Sequence, residues 1–247
     1  MRSYRRIPPV VDLVFKYFLS IQNGFILFEF VRINGHYGNG RILHHFPGYA
    51  AKDRVLVLGD MSSTGKMLQP YGKLAEDDAY ATFAEQAALL TEGGVDGLIV
   101  ETMIDLREAL VAVRAARQAC DLPVIATMSF NAVKSGLRTV MGDTPQGCAE
   151  ALTQEGVCAV GANCGNLDPF QVAEVVGEMR EATALPLVAQ PNAGKPRLVA
   201  NGTVFDMSAA DFAAGIGACL QAGARLLGGC CGTSPAYIKA MIEAVGP

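Results

Sequence analysis

The repeating unit of this chain is clearest in TPQGCAEALTQEGVCAVGAN, residues 144–163. Thr144-Pro145 is a typical helix start, as are Asp168-Pro169 and Ser234-Pro235 further along the chain, because a side-chain oxygen can cap the first turn and proline tolerates the first helical position. An Ala- and Glu-containing run follows, and Gly156 predicts the end of that helix. The short apolar run 159–162 then predicts a buried strand that ends just before the polar residue Asn163.

The same alternation runs through residues 55–247. It predicts strands at 55–58, 97–100, 123–127, 159–162, 187–190 and 225–228, and helices at 77–92, 106–120, 144–155, 168–181, 208–222 and 235–244. Six such units fit either an open doubly wound sheet or most of an eight-stranded barrel. Small or polar residues follow every predicted strand, which suits the active rim of a barrel, and no phosphate-binding glycine motif follows any of them. We therefore expect an α/β fold of the (β/α)8 TIM-barrel type.

The first 54 residues have a different composition. They carry an excess of basic side chains and all three histidines, His36, His44 and His45, whereas the remainder is acidic. We expect a divergent N-terminal segment, residues 1–54, and a β/α-barrel domain, residues 55–247. The first two barrel units are then divergent or incomplete, with residues 25–31 as a candidate first strand.

Composition excludes several classes of function. A chain of 247 residues with 51% apolar residues is long enough for one large core, and its net charge of -4 is unlike that of a nucleic-acid binder. Charged and amide side chains interrupt the apolar stretch 10–31, so no membrane span is expected. Seven cysteines are too few for a disulfide scaffold and odd in number, which favours a reducing, cytoplasmic location.

Three cysteines carry the strongest chemical signal. Cys230 and Cys231 lie between glycines after the last predicted strand, and Cys164 follows the strand at 159–162. Adjacent cysteines make a poor disulfide, whereas flanking glycines let the backbone aim both sulfurs at one ion. No histidine occurs after residue 45, so three thiolates are the only soft ligands available. Such a set favours tetrahedral zinc with the fourth position open for a substrate.

The other cysteines have a simpler interpretation. Cys120, Cys148, Cys158 and Cys219 are expected to be small packing residues. Cys158 precedes its strand, so it should lie too far from Cys164 to complete the metal site.

Residues 55–241 resemble the homocysteine S-methyltransferases, a family that includes betaine-homocysteine methyltransferase and the N-terminal module of cobalamin-dependent methionine synthase. The motifs that carry the resemblance are GANC at 161–164, PNAGKP at 191–196 and GGCCGTSP at 228–235. The resemblance implies an eight-stranded barrel in which Cys164, Cys230 and Cys231 bind zinc. It further implies that this metal activates the thiol of homocysteine, which would accept a methyl group to become methionine.

The resemblance also implies a substrate site. Glu101 would receive the ammonium group of homocysteine, and we place Asn163 and Asn192 in the same site, where they shape its loops. The methyl donor stays open among betaine, S-methylmethionine, methylcobalamin and methyltetrahydrofolate. No cobalamin domain is recognisable within residues 1–247, so methylcobalamin would need a corrinoid protein as partner.

The sequence departs from the family at two places. The Asp-Gly-x-x-Gly-Thr motif expected after the first strand is missing, and GDMSSTG at 59–65 replaces a loop that contains Gly-Pro. Two alternative functions therefore stay open. One is a barrel remnant that binds zinc or merely folds, without catalysis, and the other is a lyase that uses Lys195 as a Schiff-base amine.

Overall fold

A computed structural model describes residues 18–20, 27–32, 55–200 and 202–246. Its strands are β1 (Phe18–Ser20), β2 (Leu27–Arg32), β3 (Val55–Ser62), β4 (Gly97–Met103), β5 (Val124–Met128), β6 (Asn131–Val133), β7 (Gly136–Arg138), β8 (Ala159–Asn163), β9 (Leu187–Gln190), β10 (Arg197–Val199), β11 (Gly202–Val204) and β12 (Ala224–Gly228). Its helices are α1 (Glu76–Glu92), α2 (Leu106–Ala119), α3 (Pro145–Gln154), α4 (Pro169–Ala182), α5 (Ala209–Gln221) and α6 (Pro235–Val245).

The predicted α/β barrel is confirmed. The strand order around the closed sheet is β1-β12-β9-β8-β5-β4-β3-β2. Parallel pairing joins β2, β3, β4, β5, β8, β9 and β12 in that sequence. The six predicted β/α units appear with bounds close to those expected, because each strand and helix has a distinct pattern of apolar residues and clear end signals.

The barrel closes in an irregular way. β1 is antiparallel to both of its neighbours, β12 and β2. Only residues 21–26 separate β1 from β2, which suits an antiparallel pair, since parallel strands need a crossover of about a dozen residues or more. The candidate strand at 25–31 corresponds to β2. Most of the predicted N-terminal segment, with its three histidines, lies outside the described residues.

Two separate apolar cores hold the barrel together. A large cluster lies between the sheet and the helices and includes Phe83, Leu98 and Phe212. A smaller cluster fills the barrel interior with Leu58, Ile99, Ile125, Ala159, Val188 and Leu226. Strand residues alternate between the two cores, as neighbouring side chains on a strand point to opposite faces. Within the described part of the chain, no helix combines the length and apolar character needed to cross a membrane.

Two short hairpins were not predicted. β6 pairs with β7 after β5, and β10 pairs with β11 after β9. Both lie in the loops that follow barrel strands. Their strands are too short and too exposed to leave an alternating apolar pattern in the sequence.

Two of the three proline-marked helix starts are capped as predicted. The Thr144 hydroxyl accepts a hydrogen bond from the backbone N–H of Gly147, and the Asp168 carboxylate accepts one from the N–H of Gln171. Ser234, in contrast, makes no side-chain cap, so the prediction of a capping oxygen there is wrong. The Ser-Pro sequence marks the helix start without supplying the hydrogen bond.

Thr144→Ala should lower the free energy of unfolding by about 1 kcal/mol, because it leaves the first turn of α3 without its acceptor. Ser234→Ala, the matched control before Pro235, should change it much less. Urea unfolding curves of the two variants measure the difference. Equal losses would show that the Thr144 hydroxyl does not act as a cap.

Candidate metal and substrate site

The three predicted ligand residues meet at the carboxyl end of the barrel. Cys164 follows β8, and Cys230 and Cys231 follow β12. The Sγ atoms of Cys164 and Cys231 are 3.8 Å apart, those of Cys230 and Cys231 are 4.0 Å apart, and all three lie within 4.8 Å of one another. Tetrahedral zinc with bonds of about 2.3 Å holds two sulfurs about 3.8 Å apart. The spacing of the sulfurs therefore fits a single zinc ion.

Unusual backbone conformations bring the sulfurs together. Cys164 has a φ angle of 56°, in the left-handed region that residues other than glycine rarely adopt. Gly165, with φ of 74°, continues this turn, and a Cβ added there would lie 2.6 Å from the carbonyl oxygen of Phe130. Strain of this kind is concentrated at functional sites, where the surrounding structure holds it in place.

Glycine has a similar role after the paired cysteines. Gly232 has a φ angle of 78°, and a Cβ there would come within 2.5 Å of the Phe205 side chain. No other residue satisfies both restrictions without a shift of its surroundings. The expectation that glycines let this loop bend is confirmed at Gly232.

Asn163 is the centre of a buried hydrogen-bond network beside the sulfurs. Its Oδ1 atom accepts from the Thr102 N–H at 2.8 Å and from the Thr127 hydroxyl at 2.7 Å. Its Nδ2 atom donates to the Thr102 hydroxyl at 2.7 Å and to the sulfur of Cys230 at 3.8 Å. Thr102 itself has a φ angle of 60°. Through Asn163, the strained end of β4 is therefore linked to the thiol of Cys230, and this contact orients the thiol.

Asn192 connects the two cysteine loops. It lies in the loop after β9, the strand between β8 and β12 in the barrel. Its Nδ2 atom donates to the carbonyl of Gly165 at 2.9 Å, and its Oδ1 atom accepts from the N–H of Cys231 at 3.0 Å. The side chain is 1% exposed. One buried amide thus bridges the loops that carry Cys164 and Cys231.

The thiols differ in exposure. Cys230 is buried, Cys164 is partly buried and Cys231 is exposed. The hydrogen bond with Cys230 lowers the pKa of Cys164, whereas the hydrogen bond with Cys231, burial and the charge of Cys231 raise it, so that the net direction is upward. A cation bound among the sulfurs would instead lower the pKa of these thiols, because positive charge stabilises thiolates. The donor set therefore fits a metal chemically as well as geometrically.

Polar side chains lie on the interior face of the barrel, above its apolar core. Asp60, Glu101, Thr127 and Gln190 each stand two residues beyond a member of the interior cluster on the same strand, so they share its face. All four are at most 1% exposed. Glu101 is a strand residue rather than a loop residue, and it adjoins Thr102 of the Asn163 network.

The loop after β3 has an anchor that sequence reasoning missed. Glu108 is 2% exposed, and its carboxylate accepts hydrogen bonds from the Ser63 hydroxyl and from both the N–H and the hydroxyl of Thr64. These residues belong to the SST sequence that departs from the family pattern. The glutamate falls in the first turn of α2, where an acidic residue is common for helix stability alone, so its sequence gives no signal of this contact.

The remaining cysteines lie away from the thiol group. Cys148 and Cys219 are buried, and burial raises the pKa of Cys219 to about 12. Cys158 is exposed, which corrects the expectation that it packs in the core. It precedes β8 and lines an apolar cavity of about 260 Å³ between the amino ends of the strands. It is therefore separate from the metal site, as predicted.

Large apolar side chains are exposed around the same rim as the sulfurs. Within the described residues, all exposed large apolar side chains except Leu56 lie in or beside segments that follow barrel strands: Met67, Tyr71, Ile104, Val133, Val140, Phe170, Leu198 and Val199. These side chains are therefore candidates for contacts with a ligand or with another protein.

The closed α/β barrel and the three thiols that converge at its carboxyl rim together define the class of this protein: a β/α barrel with a candidate thiolate metal centre. This chain belongs to the homocysteine S-methyltransferase family, a family of methyltransferases, whose model matches residues 42–245.

Similar proteins agree with this assignment. The chain is 30% identical over 195 residues to methionine synthase of Mycobacterium tuberculosis, covering 76% of this chain and 16% of that protein. It is 30% identical over 181 residues to homocysteine S-methyltransferase 4 of Zea mays, covering 71% of this chain and 52% of that protein. The chain thus spans well under two thirds of the relatives that it matches.

A solved structure supports the fold. The apo crystal structure of the homocysteine methyltransferase MmuM from Escherichia coli superimposes with a TM-score of 0.59. The sequence identity is 22%, and the match covers 76% of this chain and 62% of that chain. At this identity the likeness is one of architecture.

Purified protein should contain about one zinc ion per chain, because three thiolates form one open site. Cys164→Ala, Cys230→Ala and Cys231→Ala should each lose it, whereas Cys158→Ala should keep it as the exposed-cysteine control. Metal analysis by mass spectrometry after gel filtration measures the content. Retention of zinc by any of the first three variants would contradict the assigned ligand set.

Asn192→Ala should weaken zinc binding about 10- to 100-fold, because the loops of Cys164 and Cys231 lose their common hydrogen-bond partner. Competition with a chromophoric chelator measures this affinity. The matched control is Asn166→Ala, since Asn166 is an exposed asparagine in the loop after Cys164. Equal affinities for the two variants would mean that Asn192 does not position the thiols.

Proposed function

We propose that this protein transfers a methyl group to the thiol of homocysteine and so forms methionine, using zinc held by Cys164, Cys230 and Cys231. The observation that carries the proposal is the convergence of these sulfurs within 4.8 Å on the rim of the barrel. Zinc in this site would lower the pKa of a bound substrate thiol and so keep it nucleophilic near neutral pH. Membership of the homocysteine S-methyltransferase family supports the choice of acceptor.

The protein's own residues prepare the site for this reaction. Asn163 donates to the sulfur of Cys230, and Asn192 ties the loops of Cys164 and Cys231. These contacts hold the sulfurs in place, so little reorganisation is needed when substrate enters. Cys231 is exposed, and the side of the centre that it occupies is therefore accessible to the incoming thiol.

Glu101 is proposed to bind the ammonium group of homocysteine. Its carboxylate is fully buried on the interior face of the barrel, next to Thr102, which bonds to Asn163 beside the sulfurs. A buried carboxylate is stabilised by a cationic partner. With its sulfur at the thiol centre and its ammonium group at Glu101, the substrate is held at two points, which fixes the position of the reacting sulfur.

The methyl donor must carry its methyl group on an electron-poor centre, as betaine, S-methylmethionine and methylcobalamin do. Methyltetrahydrofolate would need activation that makes its methyl-bearing nitrogen electron-poor. The exposed apolar side chains around the rim favour a donor brought by a protein. We therefore place methylcobalamin on a corrinoid protein or domain ahead of the small free donors. The similarity to methionine synthase is consistent with this order.

The lyase alternative gains no support from the environment of Lys195. Its side chain is 51% exposed, and its Nζ atom lies 3.6 Å from the carboxylate of Asp168. A Schiff-base lysine is instead activated by desolvation or by a neighbouring cation. The non-catalytic alternative predicts zinc binding without turnover, and the assay below separates it from the enzyme.

Zinc-loaded protein should convert homocysteine to methionine with at least one of the four donors, methylcobalamin being tested both free and on a corrinoid protein. A chelator should abolish the activity, added zinc should restore it, and Cys231→Ala should lack it while Cys158→Ala retains it. Methionine is measured by mass spectrometry with a labelled methyl group. Zinc-loaded protein that is inactive with every donor would support the non-catalytic alternative, and full activity without zinc would refute the proposed metal role.

A further inference from the structure

Gln190 is an unsatisfied polar side chain inside the barrel. It is the last residue of β9 and is 0% exposed. Among the described residues, neither its Nε2 nor its Oε1 atom has a hydrogen-bond partner. Val188, two residues earlier, belongs to the interior apolar cluster, and Ala189 belongs to the outer core. The amide of Gln190 therefore projects to the interior face, on the side of the thiol centre.

An empty environment for this amide is energetically costly. A buried donor or acceptor without a partner loses its hydration and gains nothing in return. Native proteins pair nearly all such groups, and an exception requires a specific explanation. A ligand that enters the barrel and pairs with Gln190 is such an explanation.

The strand neighbour of Gln190 on β8 has no hydrogen-bonding capacity left for it. Asn163 is its register partner on β8, but both amide hydrogens and both acceptor positions of Asn163 are already used by Thr102, Thr127 and Cys230. Asn163 therefore cannot satisfy this amide, and a molecule that occupies the barrel mouth is the candidate partner of Gln190.

Position and charge indicate which part of a substrate reaches Gln190. The backbone carbonyl of Gln190 accepts a hydrogen bond from the N–H of Cys164 at 3.2 Å, so this residue borders the thiol centre directly. The buried carboxylates Asp60 and Glu101 belong to β3 and β4, and β9 lies four and three strands away from them in the barrel order. A substrate with opposite charges at one end would thus find carboxylates on one side and a neutral N–H donor on the other.

We propose that Gln190 is a substrate-binding residue whose Nε2–H group donates to the α-carboxylate of the thiol substrate. The inference rests on the proposed function, because it takes the sulfur of that substrate to lie at Cys164, Cys230 and Cys231. Only four covalent bonds separate the sulfur of homocysteine from its carboxylate carbon, which matches the proximity of Gln190 to Cys164. Gln190 then selects α-amino-acid thiols over simple alkyl thiols, while Glu101 binds the ammonium group.

The test compares Gln190→Met with wild type and with Gln221→Met, a control at an exposed glutamine. Gln190→Met should raise the KM for homocysteine at least about tenfold while kcat changes little, since a hydrogen bond to a charged group is lost. Calorimetric binding of homocysteine to the zinc-loaded protein should weaken by the same factor. Zinc content should stay unchanged in all three proteins.

Two further measurements separate substrate binding from a structural role. Without substrate, Gln190→Met should unfold at the same or a higher temperature than wild type, because it removes an unpaired buried amide. With 3-aminopropanethiol, which is homocysteine without its carboxylate, wild type and Gln190→Met should bind equally well. A penalty of the same size with this thiol would assign Gln190 to general packing and overturn the inference.

The outcomes also distinguish this inference from the proposed function. If wild type methylates homocysteine and Gln190→Met has the same KM, the inference is wrong and the function stands. If wild type binds homocysteine in a Gln190-dependent way without methyl transfer, the inference stands and the function is wrong. If wild type binds no homocysteine at all, both are refuted.

Discussion

The hydrogen bonds of one buried amide, Asn192, link the two loops that carry the sulfur cluster. β8 and β12 are not neighbours in the barrel, since β9 lies between them. Asn192, in the loop after β9, contacts the backbone beside Cys164 on one side and that of Cys231 on the other. Although their strands are not neighbours, Cys164 and Cys231 thus have their sulfurs only 3.8 Å apart. The strained turn at Cys164 is tolerated because this loop and the Asn163 network hold it from both sides.

Much of the fold could be predicted because the signals are local. Caps such as Thr144, closing glycines such as Gly156, and short apolar runs each act within a few residues, and they locate the six β/α units. The thiol cluster could also be predicted, since glycine-flanked cysteines at strand ends have little value for packing. These signals place the correct residues on the correct rim without any knowledge of distances.

Contacts between distant residues were beyond sequence reasoning. Glu108 resembles an ordinary acidic residue of a first helical turn, yet it anchors Ser63 and Thr64. Ser234 has the sequence of a cap and makes none. Gln190 has the sequence of a polar residue at the end of a buried strand, and only the three-dimensional structure shows that its amide has no partner among the described residues. In each case the deciding partner comes from another part of the chain or is absent.

The interior of the barrel is divided along its axis. Leu58, Ile125 and Val188 fill the end away from the sulfurs, while Asp60, Thr127 and Gln190 occupy the end near them. On each of these strands the polar residue stands two positions beyond the apolar one on the same face, so one position packs in the interior core and the next faces the sulfur end of the barrel. Substitutions that raise thermal stability and substitutions that alter the candidate site can therefore be made at separate sets of positions within the barrel interior.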